Sequence, residues 1–397
     1  MKDLKHLIYF ESLLENADND LVKQAQADGG LAIGYTCFHI PEVILNCDKC
    51  FSVRLRAPNT GSIDIATYYM SNYTCEFARA LVERGIEGGY QFLDAMIGVD
   101  ACSMMNRAME HFEILGVSEK PGFFVTHTDM PYKLTDYTLK SYVKQMRLRV
   151  LDRLTEVYGV DTSDAAIRKA VEEHNEVCRI ISEISEMRKA DNPVITGYEF
   201  HVLNLVTYTC PKYLILPKLR ETLAELKKRK PDTVSPFRAR VAIVGSEMDD
   251  PNLTKLIENC GALVVSDRYC FGSTPGREVI ELNDEEDALT QICRHGMEVS
   301  ECARYIADEK VLQRRETADR LAKEFKAEGI IYEQMKYCDY WGFERALVSH
   351  IMHDEYGWPV LSIDRLYNNG NSGQLRTRVQ AFVESLEIKR IHSEEGK

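Results

Sequence analysis

Positive charge is scarce in this chain. Its 397 residues contain 49 lysines and arginines against 62 aspartates and glutamates, which gives a formal net charge of -13 and a pI near 5.4. Nucleic acids and anionic membranes are bound through concentrated positive charge, so neither is expected as a main partner. A local basic pocket for an anionic ligand is still compatible with this composition.

Long apolar runs and secretory features are also lacking. No stretch approaches the roughly 18 apolar residues that indicate a membrane span. The N-terminal segment MKDLKHLIYFESLLENADND is acidic and amphipathic, without the basic and then apolar regions of a signal peptide. We therefore expect a cytoplasmic protein, in a reducing compartment where disulfides are rare. A hydrophobic fraction of 45% is enough for two or three domains with cores.

Several common chemical motifs are missing as well. There is no G-x-x-x-x-G-K-[ST] phosphate loop, which argues against ATP hydrolysis by this chain, and no H-E-x-x-H pair among the ten histidines. The segment CDKC at 47–50 has the spacing of a zinc or redox pair. Because no second C-x-x-C accompanies it and a zinc site needs four ligands, a structural role is favoured.

The chain does contain two α/β regions around a helical one. The apolar runs LAIGY, DAMIGVDAC and FFVTHTDMP predict strands, with a helix over 63–85, and RVAIVGSEM, ALVVSDRYC, GIIYEQMKYCD and WPVLSIDR predict four more strands. Heptad-like patterns over 137–229 predict helices, and the charged, proline-containing KKRKPDTVSPFRAR marks a boundary. We predict an N-terminal α/β domain at 1–136, a helical segment at 137–235 and a C-terminal α/β domain at 236–397.

The twelve cysteines are the main candidates for chemistry. Cys102, Cys270 and Cys338 each follow a predicted strand, and Cys75 begins a predicted helix. Helix N-termini and oriented backbone amides favour thiolates, so ligands from these places can converge on one soft metal centre. Free cysteines are also common buried residues, and that role is favoured for Cys178, Cys210 and Cys260.

Six motifs in order carry a resemblance to a known family. They are IGYTCFHIPEVIL, SNYTCEFARALVE, GVDACSMMNRAME, VVSDRYCFGS, YEQMKYCD and NSGQLRTRVQAF. Together with the helical middle, they resemble the iron-sulfur subunits of 2-hydroxyacyl-CoA dehydratases and benzoyl-CoA reductases, nearly from end to end. The resemblance implies two Rossmann-like domains with a cluster in the cleft between them.

The resemblance also implies a ligand set. In that family three cysteines bind a [4Fe–4S] cluster, in motifs similar to those around Cys75, Cys102 and Cys338. Thiolates suit the irons of such clusters, and three ligands leave one iron open. Cys338 would then lie at a strand edge because one domain must supply a ligand across the cleft.

A divergent branch of the family offers an alternative cluster. Cys37 stands where many relatives have a hydroxyl or apolar residue. Cys37, Cys270 and Cys302 fall near positions where the double-cubane cluster proteins carry additional cysteines, which bind two sulfide-bridged cubanes (8Fe–9S). The context of Cys302, SECARYIADEKVLQRR, resembles that branch less closely. Cys37 favours this branch or an electron-relaying subunit.

The activity that the resemblance implies is reductive chemistry on a CoA thioester. Dehydratases of the family place one electron on the thioester carbonyl of a 2-hydroxyacyl-CoA, and the ketyl radical anion expels the hydroxyl group. The resulting radical loses its acidic β-proton and then returns the electron, whereas the reductases consume electrons in reducing an aromatic ring. The implied partners are a sister subunit, a separate ATP-dependent activator iron-sulfur protein and an acyl-CoA substrate. A non-catalytic electron-relay subunit and a metal-free α/β protein are the alternatives.

Three further positions have two interpretations each. Glu42, beside Pro41, is either a proton-transfer group in the cleft or a helix-start carboxylate. The segment FGSTPGRE, with Arg277, is either a phosphate-binding loop or an ordinary turn. His39 is assigned to the cleft wall.

Overall fold

The chain folds around two parallel sheets with the same strand order. The structure is a computed structural model that describes residues 3–273, 277–367 and 373–395. In these ranges one sheet has the order β2-β1-β3-β4 and the other β6-β5-β7-β8, with parallel pairing throughout. The strands are β1 (Leu31–Tyr35), β2 (Cys50–Arg54), β3 (Ala95–Asp100), β4 (Phe124–Asp129), β5 (Ala239–Gly245), β6 (Ala262–Tyr269), β7 (Gly329–Met335) and β8 (Val360–Arg365).

Helices flank the sheets and fill the segment between them, which confirms the predicted α/β class and the helical middle. A π-helical turn at Met146–Leu151 joins two of the middle helices. The helices are α1 (Leu7–Leu13), α2 (Asp20–Ala27), α3 (Glu76–Ile86), α4 (Ser103–Leu115), α5 (Asp136–Gln145), α6 (Asp152–Tyr158), α7 (Asp164–Glu186), α8 (Gly197–Thr209), α9 (Lys212–Leu226), α10 (Asn252–Asn259), α11 (Ala288–Val299), α12 (Asp308–Glu324), α13 (Asp339–Asp354) and α14 (Gly373–Glu395).

Two elements of the N-terminal region differ from what the sequence predicted. The helix expected over 63–85 begins only at Glu76, because Cys75 has non-helical backbone angles and forms its N-cap. Before it there is only a short 3-10 turn at Ala66–Tyr68. Strand β2 was not predicted. Its sequence CFSVR carries a serine and an arginine, yet every residue is buried, so the usual apolar pattern is missing.

Helix α8 lies between the two sheets and joins them. It contacts β2 of one sheet and β6 of the other, and nearly all of its side chains are buried. A helix that is apolar on all sides belongs in a core. Helix α11 comes from the C-terminal part of the sequence but packs on α5 and α7 of the middle part. The boundaries at 136 and 235 remain a prediction.

No helix in the described ranges is both long and apolar enough to cross a membrane.

Candidate metal centre

The carboxyl ends of strands from both sheets meet at one cavity. Its wall is formed by residues that follow β1, β3, β5, β6 and β7, together with the starts of α3, α4 and α13. This is the edge at which parallel α/β sheets bind ligands. Half of the twelve cysteines line the cavity: Cys37, Cys75, Cys102, Cys270, Cys302 and Cys338.

Three of these cysteines occupy the same structural position. Cys75, Cys102 and Cys338 are the N-cap residues of α3, α4 and α13. Tyr337, just before Cys338, has a φ of 65°, in the left-handed region that non-glycine residues rarely adopt. This turn allows the chain to pass from β7 into α13 within a few residues. We call Cys75, Cys102 and Cys338 the helix-cap trio.

The other three cysteines come from connecting segments. Cys37 follows β1, Cys270 follows β6, and Cys302 lies between α11 and α12. Burial is the largest cause of the raised pKa of Cys270, and the neighbouring Cys302 and Cys37 raise it further. We call Cys37, Cys270 and Cys302 the loop trio. Cys102 is among the groups that raise the pKa of Cys302, so the two trios are adjacent.

Burial keeps these thiols protonated in the absence of a metal. It raises the pKa of Cys37 and of Cys75 to about 12 and that of Cys302 to about 11. At the helix-cap trio the backbone amides of the following helix oppose this rise, for example those of Ala78 and Phe77 at Cys75. Binding of metal to thiols releases their protons, and such amides would then face thiolate ligands.

Polar atoms without partners support a further occupant of the cavity. Thr36 Oγ1, both ring nitrogens of His39 and Glu247 Oε2 are buried and have no hydrogen-bond partner among the described residues. All three side chains line the cavity. Buried polar groups are normally paired, so this concentration at one cavity indicates a site for something other than packed side chains.

The donors that line the cavity are six thiols, the ligand type that iron-sulfur clusters use. Within the described ranges, no three Cys, His, Asp or Glu side chains converge closely enough to hold one metal ion. An iron-sulfur cluster takes its thiolates on different irons, so its ligands lie further apart than those around one ion. Six thiols around one cavity fit such a cluster.

Comparison with known proteins decides the family. The family model for the 2-hydroxyglutaryl-CoA dehydratase D-component matches residues 37–386. The chain belongs to this family. The match covers three of the four strands of the first sheet, the whole second sheet and all six cavity cysteines, and it confirms the resemblance found in the sequence.

Curated relatives of this family member are subunits of dehydratases and reductases. It is 24% identical over 379 residues to the (R)-phenyllactyl-CoA dehydratase beta subunit of Clostridium sporogenes, covering 95% of this chain and 97% of that one. It is 22% identical over 387 residues to a benzoyl-CoA reductase subunit of Thauera aromatica, again covering 95% and 97%. It is 21% identical over 382 residues to the (R)-2-hydroxyglutaryl-CoA dehydratase beta subunit of Acidaminococcus fermentans, covering 92% and 95%.

In this family member, Glu42 lies in a buried ion-pair network and does not line the cysteine cavity. Its Oε2 is 2.7 Å from Lys212 Nζ and accepts a hydrogen bond from Ser52 Oγ at 3.0 Å. Its Oε1 is 2.9 Å from His174 Nδ1. Burial alone would raise the pKa of Glu42, but Lys212 and His174 outweigh it and hold that pKa well below its usual value. This geometry favours a permanently charged structural carboxylate over a proton-transfer group.

The stability of the protein should depend on pH through this network. Burial disfavours the charged form of His174, but Cys178 and Glu42 outweigh that effect and raise its pKa from 6.5 to about 10. A group whose pKa is raised by folding stabilises the fold fully at pH values below its pKa in the unfolded chain. This stabilisation is lost as the pH rises through its pKa in the folded protein. We expect the melting temperature to fall between pH 6.5 and about 10, and to fall less steeply in His174→Gln. Thermal melts followed by circular dichroism measure both slopes, and equal slopes would contradict the assignment.

The remaining cysteines lie away from the cavity. Cys47 and Cys50 flank the amino end of β2, and Cys50 N–H donates to Cys47 O at 2.9 Å. Since the carboxyl ends of the parallel strands lie at the opposite edge of the sheet, this pair is separated from the six cavity cysteines. Other cysteines that are buried and outside the cavity wall are Cys178, Cys210, Cys260 and Cys293.

The proposed phosphate loop FGSTPGRE lies partly outside the described residues, since 274–276 are not described. Arg277 is buried, donates from Nε to Asn204 Oδ1 at 3.2 Å, and stacks 3.7 Å from the ring centre of Tyr208. Its guanidinium therefore bonds within the protein. His39 is on the cavity wall, as predicted.

Two charged residues at the site were missed by sequence reasoning. Arg54, at the end of β2, donates from Nη1 to Cys270 O at 2.7 Å, and Glu247, after β5, lines the cavity. The sequence signal that could have indicated Arg54 was the presence of an arginine within the apolar run CFSVRLRAP. For Glu247 the signal was a carboxylate directly after a predicted strand.

Proposed function

We propose that this chain holds an iron-sulfur cluster in the cavity and serves as a redox subunit of a dehydratase- or reductase-type complex. The observation that carries the proposal is the presence of six cysteines around one cavity, in two adjacent trios. Each trio supplies three thiolates, which is the number that one cubane takes in this family. Two trios therefore favour the double-cubane cluster over a single [4Fe–4S] cluster. When bound, such a cluster would supply electrons at low potential, one at a time.

The residues of the chain have separate tasks in this proposal. The helix-cap trio and the loop trio hold the irons, and amides at the starts of α3, α4 and α13 stabilise the thiolates. Apolar side chains such as Phe77, Met105 and Trp341 exclude water from the cavity. Low solvent access favours a low potential.

The partners are likewise proposed. The relatives are named as subunits, which supports a sister subunit for this chain. Because the sequence has no phosphate loop, ATP hydrolysis would belong to a separate activator that delivers electrons. We propose that the electrons reach a small substrate, with a CoA thioester as the first class to test.

A count of iron and sulfide tests the cluster directly. We expect brown anaerobic preparations with about eight irons and about nine sulfides per chain. A count of about four irons would favour a dehydratase-type subunit with one cubane at the helix-cap trio. Colourless protein without iron would refute both forms and leave a metal-free α/β protein.

The dehydratase-type subunit is the second candidate function, and the names of the relatives favour it. Purified complex with activator, ATP, reductant and a 2-hydroxyacyl-CoA would then form the enoyl-CoA. A chain that only relays electrons would change its redox state without that substrate. A reductase would consume reductant in proportion to product, whereas dehydration returns the electron.

A further inference from the structure

The two trios lie in different electrostatic surroundings. The part of the wall near the helix-cap trio is apolar and includes Phe77, Met104 and Met105. Around the loop trio the chain buries arginines. Arg54 Nη1 donates to Cys270 O at 2.7 Å, and Arg314 Nη1 donates to Cys302 O at 3.2 Å.

These two arginines differ in how well their charge is neutralised. Arg314 forms a close pair with Glu344, with nitrogen–oxygen distances of 3.0 and 2.8 Å. Arg54 is fully buried, and its nearest carboxylate oxygen, Glu247 Oε2, is 3.6 Å from Nη2. Its Nε and Nη2 have no hydrogen-bond partner among the residues that the structure describes.

Packing holds the Arg54 side chain in place. Its guanidinium carbon lies 3.7 Å from the ring centre of Phe271, the residue after Cys270, and 5.1 Å from that of Tyr208. A cation fixed against aromatic faces in a site with little water keeps a strong field.

We infer that Arg54 is a positioning residue that makes the loop-trio half of the site the more easily reduced half. This inference rests on the proposed cluster. Reduction adds one electron and one negative charge without any change in bonding, and the electron comes from an external reductant such as dithionite. A buried positive charge nearby stabilises the added charge and raises the reduction potential of that half.

The test is a redox titration of the anaerobically purified protein with its cluster, followed by electron paramagnetic resonance. In Arg54→Gln we expect the midpoint potential of the first reduction to be lower by at least about 59 mV. For one electron, this equals a tenfold change in the ratio of reduced to oxidised protein at a given potential. Arg54→Lys keeps the charge and should retain most of the native potential. A fully loaded Arg54→Gln protein with an unchanged potential would overturn the inference.

Arg188 provides a matched control. It is equally buried, lies 3.6 Å from the ring centre of Phe200, and pairs with Asp267 at 2.7 Å. Neither Arg188 nor these partners lines the cysteine cavity. Arg188→Gln should leave the potential unchanged, and a shift equal to that of Arg54→Gln would show that the effect is a general result of losing a buried arginine.

Two further variants keep the inference testable if Arg54→Gln does not fold. Burial raises the pKa of Glu247 to about 7, so this variant is measured at a pH well above 7, where Glu247→Gln removes a negative charge. Its potential should then move upward, and no shift or a downward shift would overturn the inference. In a Cys37→Ser background that retains only about four irons, Arg54→Met, which removes the charge but keeps an apolar side chain of similar length, should change the potential less than in the native background. An equal change in both backgrounds would contradict the assignment to the loop trio.

The iron count separates this inference from the proposed function. Preparations with no iron, or with about four irons per native chain, refute the double-cubane cluster itself. Preparations with full iron and no response to Arg54 refute only the role of Arg54.

Discussion

Replacing Cys338 with serine is expected to lower the iron content from about eight to about four or fewer irons per chain, with the fold retained. A hydroxyl is a poor ligand for the irons of such clusters, whereas serine is among the best N-cap residues. Because Cys338 is the N-cap of α13, the helix should begin normally in the variant. Iron and sulfide analysis, with circular dichroism for the fold, measures both effects. Cys75→Ser and Cys102→Ser, at the N-caps of α3 and α4, should behave in the same way.

Cys210 is the control for this series. It is buried at the end of α8 and lies outside the cavity wall. Cys210 Sγ lies 3.5 Å from Asn19 Nδ2 and 3.8 Å from Thr209 Oγ1, so a serine hydroxyl keeps polar neighbours, and Cys210→Ser should cost about 1 kcal/mol or less of stability without any loss of iron. Full iron content in Cys75→Ser, Cys102→Ser and Cys338→Ser would refute the ligand assignment. Loss of iron in Cys210→Ser at an equal level would mean that any buried substitution disturbs the cluster.

Lys212→Met is expected to destabilise the protein by about 3–5 kcal/mol. The substitution removes the ammonium group 2.7 Å from Glu42 Oε2 and 3.2 Å from Ser52 Oγ, at a lysine that is 2% exposed. It leaves a buried carboxylate that keeps His174 but loses its second cation. Urea unfolding of native and variant protein with equal iron content measures the difference in the free energy of unfolding.

An exposed lysine at the end of the same helix provides the comparison. Lys227 Nζ is 2.6 Å from Glu183 Oε1, but both side chains are about half exposed. Surface pairs contribute about 0–1 kcal/mol, so Lys227→Met should have little effect. A loss at Lys212 no larger than that at Lys227 would show that Glu42 does not depend on the pair. It would reopen the alternative that Glu42 carries protons.

The local elements of the fold were predictable because they depend on neighbouring residues. Apolar runs predicted seven of the eight strands, and they placed Cys102, Cys270 and Cys338 at strand ends. The helical middle followed from its heptad-like pattern. The order of short motifs was enough to indicate the family, since each motif reflects a local turn or helix start that its members retain.

Strand β2 shows where the local pattern fails. Ser52 and Arg54 are polar, yet both are buried, because other parts of the chain provide their partners. Arg54 bonds to the carbonyl of Cys270, 216 positions further along the chain. The interactions that make an arginine acceptable in a buried strand are therefore not visible in the neighbouring sequence.

The sequence by itself determined seven of the eight strands, the helical middle and the family, because periodicity and short motifs report conformation within a few residues. Only the tertiary structure decided that Cys37 and Cys302 lie at the same cavity as Cys75, Cys102 and Cys338. The structure also places Glu42 outside that cavity, in an ion-pair network with Lys212, which lies 170 positions further along the chain. The physical reason is that these groupings depend on how α8 packs between the two sheets, and packing brings together segments whose separation along the chain carries no periodic signal.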